Sequence, residues 1–195
     1  MSKDLAASVR ARLLNIAKAE GVDFNQVLVW YTLERFLYRL SQSPHADRFV
    51  LKGALLFTLW YDMPHRPTRD ADLLGFGPSD LESIGQTFRD IASVQAADGI
   101  LFDPASVGVE EIRKDAGYAG ARVMINAELA RARCRTQIDI GFGDAVTQVG
   151  GSNPSRATNR YGALPVSKRQ LNVGVLLFGP NLAHFWPTFG PPVFQ

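Results

Sequence analysis

One carboxylate stands where a chain seldom leaves one: Asp139 occupies the middle of the apolar strand Gln137-Ile138-Asp139-Ile140-Gly141. A lone charge buried in such a run is costly unless a metal ion or a charged partner compensates it, or unless the strand faces water at an edge. Two further aspartates lie two apart in Asp70-Ala71-Asp72-Leu73-Leu74-Gly75-Phe76, a predicted strand closed by glycines. The period of two directs both side chains to one face, where they can hold a divalent cation together. Taken alone, an Asp-x-Asp after a proline-rich turn is more often solvated or caps backbone groups. Three carboxylates beside a glycine turn are harder to dismiss than one.

The surrounding pattern predicts an α/β domain, with N-terminal helices followed by a mixed β-sheet and flanking helices. Leu5, Val9, Leu13 and Ile16 recur at helical spacing, and Val27, Trp30, Tyr31, Leu33, Leu37 and Leu40 form a second, wider apolar face beyond Gly21. Phe49-Val50-Leu51 then leads through Lys52-Gly53 into Ala54-Leu55-Leu56-Phe57-Thr58-Leu59-Trp60, a strand, glycine turn and helix. Ser79 and Glu82 have the spacing of a capping box, and Leu81, Ile84, Phe88 and Ile91 supply the apolar stripe of the helix it opens. Strands are expected over residues 99–102, 121–127 and 133–142.

Such carboxylates suit phosphoryl or nucleotidyl transfer, in which a divalent ion neutralises phosphates and clamps the attacking and leaving oxygens. Asp70 and Asp72 would hold the ions carrying a triphosphate, and Asp139 the ion that acidifies the attacking hydroxyl. Lys52 and Gly53 would lie across from them, with the glycine letting backbone amides approach phosphate, although a simple turn glycine is equally common. Arg66 and Arg69 flank the first pair and can reach a triphosphate or form ion pairs with Asp70 and Asp72. Arg133, Arg135, Gln137 and Asp139 share a strand face, either a basic track for a polyanionic acceptor or a solvated polar face. His45 and His65 lack metal-ligand spacing, and Trp60 and Tyr61 read as core.

Composition narrows the setting. A formal net charge of +2 does not choose a partner, and no apolar stretch is long enough to span a bilayer. Met1-Ser2-Lys3-Asp4-Leu5 has no apolar signal core, and the one cysteine, Cys134, fits a reducing compartment, so a cytoplasmic protein is expected. An Asp-x-Asp glycosyltransferase is disfavoured, because no regular strand–helix alternation precedes the motif.

Three segments together resemble the AbiEii/AbiGii nucleotidyltransferase toxin family, within the DNA polymerase β-like nucleotidyltransferase superfamily. They are Phe49-Val50-Leu51-Lys52-Gly53-Ala54, Arg66-Pro67-Thr68-Arg69-Asp70-Ala71-Asp72-Leu73-Leu74-Gly75, and Gln137-Ile138-Asp139-Ile140-Gly141-Phe142-Gly143-Asp144. The resemblance implies transfer of a nucleotide from an NTP with Mg²⁺, RNA with tRNA as one acceptor class, a cognate AbiEi-like antitoxin, and abortive phage infection as the biology. It departs from the family at Ala54, where many superfamily members carry a second glycine or a serine, and in the absence of the helical region that usually follows the third aspartate.

The resemblance sets the domain at residues 1–147 and leaves 148–195 as an irregular foreign tail rich in glycine and proline. Residues 150–158 back-translate into a T-stem, a TTCGAAT loop, the returning stem and an acceptor strand ending in ACC, which the codon of Asn159 extends to CCA. The tail therefore reads as the end of a tRNA gene entered by readthrough. Two readings follow: an active toxin, or a truncated remnant that binds nucleotide or antitoxin without turnover.

Overall fold

The computed structural model describes residues 3–52, 69–114, 118–142 and 164–165. Two helices open the chain, α1 (Lys3–Glu20) and α2 (Phe24–Gln42). Gly21, at φ 64°, turns the chain between them, and the amide of Val22 donates to the Ala17 carbonyl at 3.0 Å. Asp23 then caps α2 by accepting from the Asn25 amide at 2.8 Å. Val9, Leu13, Ile16 and Ala17 bury one stripe of α1, whereas α2 is buried on most of its circumference because it lies between α1 and the sheet.

The remaining elements are β1 (Phe49–Lys52), β2 (Asp70–Gly75), α3 (Leu81–Ser93), β3 (Ile100–Phe102), β4 (Gly108–Lys114), β5 (Tyr118–Leu129), β6 (Ala132–Phe142) and the short β7 (Leu164–Pro165). They form one mixed sheet in the order β3-β5-β6-β2-β1-β7, with β4 also paired to β5. The β2–β6 pair is parallel and the others are antiparallel. Leu51, Leu73, Ile138, Ile140, Ala121, Val123 and Ile125 line one face and pack against Leu33, Phe36 and Leu37 of α2 and Ile84, Phe88 and Ile91 of α3. Strand period two sends their neighbours Lys52, Asp72, Asp139 and Arg122 to the opposite face, so one set of strands serves the core and a polar surface at once.

The expected α/β architecture is what the chain adopts, with two local differences. The cap of α3 is Asp80, not Ser79: its carboxylate accepts from the Ser83 amide at 2.8 Å, and that bond holds its pKa below the usual carboxylate value. A charged oxygen is the stronger acceptor for an amide at a helix start. Starting the helix there leaves Leu81 on the surface while Ile84, Phe88 and Ile91 are fully buried. Strand β4 was not expected, because Glu110-Glu111 interrupts any alternation; its only described partner is β5, and an outer strand needs no continuous apolar face. The helix expected over residues 54–60, with Trp60 and Tyr61, lies outside the described residues, as does the tail apart from β7.

A second group of charges is buried on the helical side. Asp98 accepts from Arg39 Nη1 at 2.7 Å and Nη2 at 3.0 Å, and Arg35 Nε lies 3.1 Å from it. Tyr31 donates its hydroxyl to the Asp98 carbonyl oxygen. Glu34 lies beside them, and among the described residues neither of its oxygens finds a hydrogen-bond donor, Arg35 Nη1 being 3.8 Å away. Burial pushes its carboxyl up to about 8 from 4.5, against the smaller downward pull of Arg35.

A carboxyl raised on folding stabilises the folded chain fully below its unfolded pKa and loses that contribution as pH rises through the folded value. Glu34→Gln is therefore expected to change stability little at pH near 4.5 and to raise it by roughly a few kcal/mol at pH 8 to 9. The gain accumulates at about 1.4 kcal/mol for each pH step between the unfolded and folded values. Thermal unfolding at both pH values checks this. A gain in Tm equal at both would show that Glu34 does not hold its proton in the folded chain.

Candidate active site

The register of five strands assembles a single row of charges across the face opposite α2 and α3. Lys52 on β1 pairs with Asp72 on β2, Asp72 with Asp139 on β6, Asp139 with Arg122 on β5, and Arg122 with Glu110 on β4. Adjacent strands lie about 4.8 Å apart, so each charge is the immediate lateral neighbour of the next. Asp70 stands one step along the same face of β2, opposite Gln137. Sheet pairing alone thus brings together Lys52, Asp70, Asp72 and Asp139.

Asp139 is buried, only 6% exposed, and its compensation is visible. Arg122 donates through Nε to Oδ1 and through Nη2 to Oδ2, both at 2.9 Å, a two-point pair that fixes the plane of the carboxylate. Gln137 Nε2 adds a contact to Oδ1 at 3.3 Å. The same pairing holds the Arg122 guanidinium pKa above its ordinary value. On its outer side Arg122 Nη1 lies 3.9 Å from Glu110 Oε1.

Lys52 reaches across β2. A methyl group placed on Gly141 of β6 would come within 2.9 Å of the Lys52 Nζ, so the ammonium rests over Gly141, two residues along the strand from Asp139. Glycine there leaves space for a cation to approach the sheet backbone. Asp70 and Asp72 are partly buried and Arg69, just before β2, is exposed. Gly53 and Arg66 lie outside the described residues. Beyond Gln137 the face continues to Arg135 and Arg133, both exposed, and to Arg131 at φ 69° in the β5–β6 turn.

Arg122 is the functional candidate that the sequence reading missed. Its signal was the same as that of Asp139 with the charge reversed: an ionised residue between Ala121 and Val123, in a run whose odd positions are all buried.

The row sets cationic and carboxylate side chains side by side along one line of the sheet. Carboxylate oxygens from neighbouring strands fit a hard divalent cation in kind. Among the described residues no three His, Cys, Asp or Glu side chains already stand as a metal-holding group. The strands converge Asp70, Asp72 and Asp139 on one face, while the Arg122 guanidinium takes both oxygens of the third. No helix among the described residues is long and apolar enough to cross a membrane.

A family model described as nucleotidyl transferase AbiEii toxin, type IV toxin–antitoxin system, matches residues 35–158, from within α2 to beyond β6. No curated protein matches the chain.

Proposed function

Because the chain belongs to the AbiEii nucleotidyl transferase toxin family of type IV toxin–antitoxin systems, we propose that it transfers a nucleotide from an NTP to an RNA acceptor of tRNA type in a Mg²⁺-dependent reaction in the cytoplasm, as part of defence against phage. Membership supplies the coarser statement: a nucleotidyltransferase toxin domain, with a nucleotide as substrate and an antitoxin as the other half of the system. The observation that carries the finer reading is the lateral adjacency of Lys52, Asp72 and Asp139, with Asp70 on the same face.

Asp70, Asp72 and Asp139 would hold the Mg²⁺, which when bound neutralises triphosphate charge and lowers the pKa of an attacking hydroxyl. Lys52, with its ammonium over Gly141, presents a positive charge to the triphosphate at the end of the carboxylate row. Arg69, together with Arg66 and Gly53, is offered to the same phosphates. Arg133 and Arg135 extend one strand face away from Asp139 and suit the backbone of a polyanionic acceptor. The rows of β6 therefore divide the work between a nucleotide end and an acceptor end.

The test is transfer of label from each α-³²P-labelled NTP to total RNA with Mg²⁺, in the wild-type chain and in an Asp70→Ala, Asp72→Ala double variant. Transfer by the wild type, and none by a folded double variant, is the expected result. A folded wild-type chain that binds NTP and transfers nothing to RNA would replace this reading with binding without turnover.

A further inference from the structure

We propose that Arg122 is a positioning residue that Asp139 exchanges for the divalent cation, with Glu110 as the seat to which the guanidinium turns. The inference rests on the metal reading above and adds a residue and a device that this reading does not contain.

Both oxygens of Asp139 accept from Arg122 through hydrogen bonds of 2.9 Å, so a cation that takes Asp139 competes with the guanidinium for the same two oxygens. A divalent ion beside a guanidinium also meets like charge at a few ångströms, where repulsion is strong away from bulk water. The two side chains differ in freedom: that of Asp139 is 8% exposed, that of Arg122 34%. The carboxylate is therefore the fixed partner and the guanidinium the movable one. Glu110 gives it somewhere to go, since it is the cross-strand neighbour on the outer side and already lies 3.9 Å from Nη1. The antiparallel β5–β6 ladder holds both backbones through the change, which then needs only a rotation of the Arg122 side chain.

Arg122 thus does two things. Paired with Asp139, it stabilises a buried carboxylate and sets its plane. Turned toward Glu110, it remains on the triphosphate side of the sheet, where a planar guanidinium is suited to phosphate oxygens. The cost of parting from Asp139 sets the affinity of the site for its cation.

Binding of Mn²⁺ alone, by calorimetry or by the resonance of the free ion, tests this without recourse to activity. Arg122→Gln is expected to bind Mn²⁺ about tenfold tighter than the wild type, because a competing positive charge is gone. It should also be less stable without metal and recover more Tm on adding Mn²⁺. Arg122→Lys, which makes one contact where arginine makes two, should shift affinity the same way by a smaller factor and serves if the glutamine variant does not fold. Glu110→Gln should weaken Mn²⁺ binding a few-fold by removing the second seat.

Equal or weaker binding by the Arg122 variants, with the wild type still binding, overturns the exchange and leaves the metal reading standing. No binding by wild type or variants overturns both.

Discussion

Asp139→Asn is expected to lower nucleotide transfer by about 10²–10³-fold while the fold survives, the loss typical when a group stabilising transition-state charge is removed. Asparagine has the shape of aspartate, and its side-chain oxygen still accepts from Arg122, so the β5–β6 pairing and the buried surface of β6 are retained. What disappears is the negative charge of one of the three aspartates proposed to hold the cation. Initial transfer rates at saturating Mg²⁺, beside circular dichroism and Tm, make the measurement. A rate within a few-fold of the wild type would remove Asp139 from the machinery and leave it as a structural partner of Arg122.

Asp98→Ala acts on the opposite side of the sheet and through stability. Its carboxylate takes two hydrogen bonds from Arg39 and faces Arg35 at 3.1 Å, and all three residues are buried. Truncation leaves two guanidiniums without their counter-charge in the interior, which costs about 3–5 kcal/mol. A domain of this kind has roughly 5–15 kcal/mol in total, so the variant should lie close to its unfolding threshold. The same carboxylate accepts from the Ile100 amide at 3.3 Å, so α2 and the start of β3 loosen together. Denaturant unfolding gives the number, and a loss below about 1 kcal/mol would mean that water or rearrangement replaces the pair. Unlike Asp139→Asn, this change should lower Tm first and transfer only as folded protein is lost.

The two effects show which parts of the structure could be read from residues alone. Period two puts Asp70 and Asp72 on one face, and the apolar setting of Asp139 asks for a metal ion, a charged partner or an edge facing water; the structure supplies the charged partner. The setting alone does not choose among them, because the compensating charge comes from another strand whose register no local pattern encodes. Nothing local assigns Arg122 rather than another arginine to Asp139; only the β5–β6 register brings it there. The lateral order Lys52, Asp72, Asp139 likewise exists only once β1, β2 and β6 have paired.

The helices were legible where burial is one-sided, as in Ile84, Phe88 and Ile91. The cap of α3 lies one residue from the expected serine because Ser79 and Asp80 both carry a suitable oxygen, and the charged one is the stronger acceptor for the Ser83 amide. Strand β4 escaped because pairing along one described side asks little of its sequence. The buried Glu34 was hidden inside a helix whose apolar residues already accounted for the pattern.

Strand β6 joins two halves of the sheet that, among the described residues, share no other strand pairing: β3, β4 and β5 on one flank, and β2, β1 and β7 on the other. It follows most of the chain that it unites. A ribosome that has released the protein only as far as β5 has produced Asp70, Asp72 and Arg122, yet neither the third carboxylate nor the strand that sets the other two beside it. On the reading proposed above, order along the chain thus becomes order in time: the carboxylate face is assembled only after β6 has been made and has paired with β2.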